Sequence, residues 1–187
     1  MQYLLILVLT AATFARVTPL EEFQKPHSIW QHKPLEHRGF TTSLDEHLNQ
    51  RLNSDDSGEI QNEEQVCINP LDSDNMVAVW RDFRLGYRRI GVGYTLDGGE
   101  TWSDALFPQM YYAWQSDPTL VVDHNGVFTA NVISFVAGGD DDNGLLSISS
   151  SDGGVTWQDS VWAQHTTDES AFEDKQMMAM DNSPDSP

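Results

Sequence analysis

One eight-residue segment occurs twice. Thr95-Leu96-Asp97-Gly98-Gly99-Glu100-Thr101-Trp102 returns as Ser150-Ser151-Asp152-Gly153-Gly154-Val155-Thr156-Trp157, 55 residues further on, and six of the eight positions are identical or exchange Ser for Thr. A duplication at this spacing confines the chain to architectures assembled from repeated units. The flanks repeat as well. Val66-Cys67-Ile68-Asn69-Pro70 followed by Met76-Val77-Ala78-Val79-Trp80 resembles Thr119-Leu120-Val121-Val122-Asp123 followed by Val127-Phe128-Thr129-Ala130-Asn131, and a third start is read at Gln176 to Asp181, with Pro184 in the turn position.

The duplicated segment has a mechanical reading. A carboxylate one residue before a Gly-Gly pair can accept backbone N–H groups of a turn whose positive φ angles only glycine adopts freely. Thr101 and Thr156 can bond back across that turn, and Trp102 and Trp157 then enter the next strand, where both rings are expected to fill the wedge between neighbouring sheets. Asp97, Gly99, Thr101, Trp102, Asp152, Gly154, Thr156 and Trp157 are therefore read as structural residues. β-rich units of this length fit four-stranded propeller blades, so an all-β fold is expected.

Charge narrows the partners. The 187-residue chain carries 29 acidic groups against 10 Lys and Arg, a net charge of -19. Such a balance argues against nucleic acid and anionic membrane as partners. Between Ile90 and Asp174 there is no Lys or Arg, while the same stretch holds fourteen Asp or Glu. The lone Cys67 excludes an intrachain disulfide framework and is read as a small apolar side chain.

The first fifteen residues read as an export signal: Tyr3 to Ala12 is apolar, too short to span a bilayer, and Thr13 and Ala15 place small residues before a cut. A secreted or periplasmic protein without a membrane span is expected. Residues 16–61, interrupted by Pro19, Pro26 and Pro34, are read as a linker or pro-segment with one short helix from Thr42 to Leu52. Its histidines His27, His32, His37 and His47 do not share one helical face, which favours a solvated linker over a metal site. Residues 62–187 form the repeat region. No cofactor is expected there, although Asp140-Asp141-Asp142-Asn143-Gly144 offers oxygen ligands of the kind calcium takes.

The pattern S/T-x-D-x-G-x-T-W, found twice and preceded by strands such as VAVWRDFR and IGVGYT, resembles the Asp-box repeat of the sialidase (neuraminidase) superfamily of β-propellers. The resemblance covers about Glu63 to Asp185. It implies blades of four antiparallel strands, with the box between the third and fourth strand and away from the pocket. Since sialidase propellers close six blades, it also implies that about two blades and the start of a third are present, as the N-terminal part of a longer protein.

The same resemblance implies an exo-α-sialidase type of glycoside hydrolase acting on a sialic-acid-terminated glycan. Sialidases hold the sugar carboxylate with arginines, for which a bidentate guanidinium is suited. By resemblance, Arg81 or Arg84 occupies the second arginine position and Asp82 is the acid/base candidate, while Val66 or Cys67 stands where the first arginine belongs. The Tyr and Glu of the family's mechanism belong to later blades, so this chain alone is expected to be inactive. The lost arginine leaves open a non-catalytic glycan-binding propeller, or a sortilin-like protein-binding one. Read as residues alone, Arg81 and Asp82 also fit a strand-end ion pair, Arg88 and Arg89 a solvated strand start, and Tyr111-Tyr112-Ala113-Trp114 either a sugar-stacking surface or packing between sheets.

Overall fold

The computed structural model describes residues 50–108, 110–137, 142–168 and 171–183. The export signal, the four histidines and most of the Thr42 to Leu52 helix lie outside these residues; Gln50 to Leu52 are not helical. The described chain is all-β. β1 (Gln61–Asn69), β2 (Asp72–Asp82), β3 (Arg89–Thr95) and β4 (Ser103–Leu106) form one antiparallel sheet in sequence order. β5 (Trp114–Val122), β6 (Phe128–Phe135), β7 (Asn143–Ser150) and β8 (Val161–Thr166) form a second with the same order. Among the described residues no helix is present that could cross a membrane.

Strand alternation places one face of each sheet against the other. Val77, Val79, Ile90 and Val92 of the first sheet meet Leu120, Phe128, Ala130, Val132, Leu146 and Ile148 of the second, with Phe107 and Met110 from the connection closing the layer. Cys67 packs against this core, half-buried, with its Sγ 3.3 Å from the Leu120 carbonyl oxygen. The opposite face of the first sheet carries Trp80, which is 2% exposed. Its ring lies over Gly91, where an added Cβ would fall 2.2 Å from Trp80 Cε2, and the Leu52 side chain approaches Gly93 on the same face. Residues just before β1 thus help cover a face that would otherwise meet water.

The register fixes how the two halves correspond. Met76 pairs with Thr95, and Phe128 pairs with Ser150, the equivalent first residue of the second copy. Phe128 rather than Val127 therefore answers to Met76, one residue away from the sequence alignment. The same register sets Gln65 against Thr119, not Val66: Gln65 pairs with Val79 and Thr119 with Asn131. Loop length explains the slip. The β2–β3 and β6–β7 connections differ in length, so a single offset cannot carry the repeat across all four strands.

β1 and β5 also share a bulge. The ladder jumps from Asn62/Arg81 to Gln65/Val79 in the first sheet and from Ser116/Ile133 to Thr119/Asn131 in the second, leaving two residues opposite one. The first bulged residue is left-handed in both, Glu63 at φ 60 and Asp117 at φ 49. Glycine is the usual occupant of such a position, and a side chain there costs about 1–3 kcal/mol.

Candidate functional site

Antiparallel order gives the double sheet two unlike ends. At one end lie the repeated turns, between β3 and β4 and between β7 and β8. At the other lie the two bulges, the Arg81–Arg88 segment and the connection from β4 to β5.

The turns are built by the same four bonds. Thr95 Oγ1 donates to Asp97 Oδ1 at 2.7 Å and accepts from Gly99 N at 3.0 Å; Thr101 donates to Asp97 through its N–H, at 2.9 Å, and through its hydroxyl. Ser150, Asp152, Gly154 and Thr156 repeat the set, with Ser150 Oγ to Asp152 Oδ1 at 2.8 Å and the N–H groups of Gly154 and Thr156 donating at 2.9 Å. Gly99 and Gly154 both take φ 93. The Thr101 bonds hold the Asp97 carboxyl down, at about 2. Burial pushes the Asp152 carboxyl up, but the bonds from Thr156 and Ser150 outweigh it and leave it below the usual carboxylate range.

The two tryptophans are not in equivalent surroundings. Trp157 packs against the core between the sheets, edge-on to Phe107 at 4.8 Å between ring centroids, and its Nε1 donates to the Gly154 carbonyl at 3.1 Å. Trp102 is half-buried over its own turn and takes no part in that core. Position explains this: the second turn faces the first sheet, whereas the first turn has no described sheet before it.

At the other end, the arginines named in the sequence divide. Arg84 donates to Asp82 Oδ2 through Nε at 3.0 Å and Nη2 at 2.8 Å, and to Asp104 Oδ2 at 3.1 Å. Asp82 is fully buried and also accepts from Trp80 Nε1, Arg84 N and Gln61 Nε2. Burial works against the Arg84 charge, but Asp82 and Asp104 more than offset it and hold its proton more tightly than usual. These three side chains tie β2, its following loop and β4 together.

Arg81 lies on the opposite face, as strand alternation requires. It reaches Glu63 Oε1 at 2.9 Å, Asn62 Oδ1 at 2.9 Å and Ser116 Oγ at 3.1 Å, with Asp117 Oδ1 at 3.9 Å. Asp117 N donates to Glu63 Oε2 at 3.1 Å, so the two left-handed bulge residues touch each other. Burial, then the hydrogen bond with Asp117, pushes the Glu63 carboxyl up although Arg81 opposes it. Asp117 moves the other way: burial would raise it, but Glu63, Ser116, Lys175 and Arg81 hold it low.

Arg88 stands apart. Its guanidinium lies 5.8 Å from the ring centroids of both Trp114 and Phe135, with no carboxylate in salt-bridge range among the described residues, and its Nε is buried without a hydrogen-bond partner there. Burial, then the positive charge of Arg81, makes its proton easier to lose than usual, although the Asp117 and Glu63 charges work the other way. The neighbouring Arg89 turns into the opposite face and donates to the Phe107 carbonyl at 2.7 Å. Arg88 was not among the residues singled out for binding in the sequence, nor were Glu63, Ser116 and Asp117. Alternation was the available signal: consecutive arginines at the start of a strand point to opposite faces, so they cannot share one environment.

Of the acidic tip, Asp140 and Asp141 lie outside the described residues, and Asp142 bonds to His165 and Tyr112. Among the described residues no group of three or more His, Cys, Asp or Glu side chains is arranged to hold a metal ion. No protein-family model matches the chain, and no curated protein matches it.

Proposed function

We propose that the chain is part of an exported, sialidase-like β-propeller, its two sheets being Asp-box blades, and that the end opposite the boxes binds a glycan carrying a carboxylate. The observation that carries this reading is Arg88: a half-buried guanidinium, unpaired with any described carboxylate, over the faces of Trp114 and Phe135. A half-buried cation with no carboxylate in salt-bridge range is costly, and the carboxylate of an acidic sugar would supply a direct counter-charge. Arg81 and Arg84, the arginines that the family resemblance points to, already hold carboxylates of the protein. They are support for the site rather than its first contact. Export belongs to the same proposal and rests on the apolar run from Tyr3 to Ala12 and the strongly acidic composition.

A hydrolytic role has one observation in its favour. The Glu63 and Asp117 side chains meet at the two bulges beside Arg81, a paired-carboxylate arrangement of the kind acid–base chemistry uses. Asp82, with no exposure and five donor groups around it, is placed to hold Arg84 and Trp80 in position. Binding is the activity proposed for this chain.

Calorimetric titration of the full chain with sialic acid and with galactose tests the reading. Wild type is expected to bind the acidic sugar, Arg88→Ala to lose that binding and Arg88→Lys to retain part of it. Sialic acid affinity unchanged in Arg88→Ala, or absent from wild type, rejects it.

A further inference from the structure

Beyond Arg88, the same end of the molecule carries a cluster of four rings. Tyr111 follows β4 and is 63% exposed. It contacts Trp162 of β8 at 4.7 Å between centroids and Tyr112 at 5.6 Å, and Trp162 stacks on His165 at 4.3 Å with an interplanar angle of 11°. The cluster is anchored from below. An added Cβ on Gly144 would fall 2.9 Å from Trp162 Cζ3, so glycine there lets the indole lie close to β7, and Tyr112 N donates to Ser134 Oγ at 3.3 Å. Tyr111 itself is held at φ 53, a left-handed conformation that a tyrosine adopts only at a cost. The side chain so placed makes no hydrogen bond within the described structure and presents its ring outward.

Asp142 completes the edge. It bonds to His165 Nε2 and to Tyr112, whose hydroxyl is pushed up to about 12 by burial and by that bond. Its side chain is still 33% exposed, and a carboxylate has more acceptor sites than these two bonds use.

We propose that Tyr111, with Trp162, His165 and Asp142 behind it, is a binding platform for a neutral pyranose ring. The apolar face of a sugar would lie on Tyr111 while one of its hydroxyls donates to Asp142. This extends the glycan reading to a second subsite and rests on it. Charge favours a neutral ligand over an acidic one here: Asp142 borders the rings, and no Lys or Arg occurs between Ile90 and Asp174. The ring contacts disfavour a bound cation. An aromatic cage needs room for the ion between its walls, whereas these rings already touch one another, so a ligand can sit only on the outer face.

The test is titration of the full chain with lactose, followed by tryptophan fluorescence and by saturation-transfer NMR, with tetramethylammonium chloride as the cation control. Lactose is expected to bind with saturation transfer to one sugar face. Tyr111→Asn, which keeps the left-handed backbone accessible, should weaken it about tenfold, and Tyr111→Phe should leave it within about twofold. Arg88→Ala should leave lactose binding intact while removing sialic acid binding, so failure of the acidic site and failure of the platform are told apart. Lactose affinity unchanged in Tyr111→Asn, no lactose binding by wild type, or binding of tetramethylammonium in its place overturns the proposal.

Discussion

Around Asp97 and around Asp152 the chain makes the same internal hydrogen bonds, yet one turn is pressed against a sheet and the other stands open. Gly153 and Gly154 are buried, and Asn75 Nδ2 bridges the Gly153 carbonyl at 2.9 Å and the Thr95 carbonyl at 3.0 Å, joining the second turn to the end of β3. Gly98 is exposed and Gly99 half-buried, with Asp74, Met76 and the turn's own Trp102 beside them. The lesson is that the turn is a self-contained device. Its polar bonds set its shape, and its surroundings decide how much stability that shape carries.

Four experiments press on this contrast. The largest difference is expected at the second glycine of each turn. An added Cβ on Gly154 would lie 2.6 Å from Val77 Cγ2 and 3.1 Å from Tyr94 Cβ, whereas on Gly99 its nearest neighbour is the flexible end of Met76, Cε, at 3.3 Å. Both positions carry the strain of a positive φ, so Gly99→Ala should cost about 1–2 kcal/mol, and Gly154→Ala, with overpacking added, about 4 kcal/mol. Urea denaturation of the two variants measures the gap; equal losses would mean that the second turn is not docked as described.

Next come the tryptophans. Trp157→Ala opens a cavity beside Phe107 and should cost about 3 kcal/mol, while Trp102→Ala, outside the core between the sheets, should cost about 1 kcal/mol. Thermal unfolding of each variant is the check. A Trp102 loss as large as that of Trp157 would show that a further layer covers the first turn.

Asn75→Ala leaves the Thr95 and Gly153 carbonyls without their donor and should cost about 2 kcal/mol. Because Asn75 lies against Gly153 and not against Gly98 or Gly99, a double-mutant cycle with Gly154→Ala should be non-additive, and one with Gly99→Ala close to additive. Additivity in both cycles would remove Asn75 as the link.

The smallest effect is expected with pH. Asp97 sits near 2 in the folded protein against an ordinary value of 3.8. A carboxyl depressed by folding stabilises the protein above its unfolded pKa, and that contribution fades as pH falls from about 4 toward 2. Asp152 is displaced in the same direction, so both turns should loosen on acidification over this range. Carboxyl carbon shifts followed by NMR give the two midpoints; a midpoint for Asp97 near the ordinary value would mean that the Thr101 bonds are not kept in solution. Full exposure limits what Asp97 contributes.

Part of the fold is local chemistry and is legible in the amino-acid string. Asp, two glycines and Thr at fixed spacing define a turn because a carboxylate and a hydroxyl within four residues can satisfy its N–H groups without help from elsewhere. The apolar run from Met76 to Trp80 and the large–glycine alternation from Ile90 to Tyr94 likewise announce strands, since each is a property of the segment itself.

The candidate site is a different matter. Glu63 and Asp117 lie 54 positions apart and meet only because β1 and β5 pack side by side with the same bulge. Arg81 and Arg84 look interchangeable in the string VWRDFR, but Arg81 points toward the second sheet and Arg84 folds back onto Asp82 and Asp104. Which arginines find a carboxylate depends on where the acidic groups end up. The sequence by itself determined the units, the turn chemistry and the direction of each strand's faces, all of which rest on contacts within a few residues. Only the tertiary structure decided that Trp157 is core and Trp102 is not, and that Arg88 lies over two rings with no described carboxylate in salt-bridge range, because both facts are set by which sheet lies opposite.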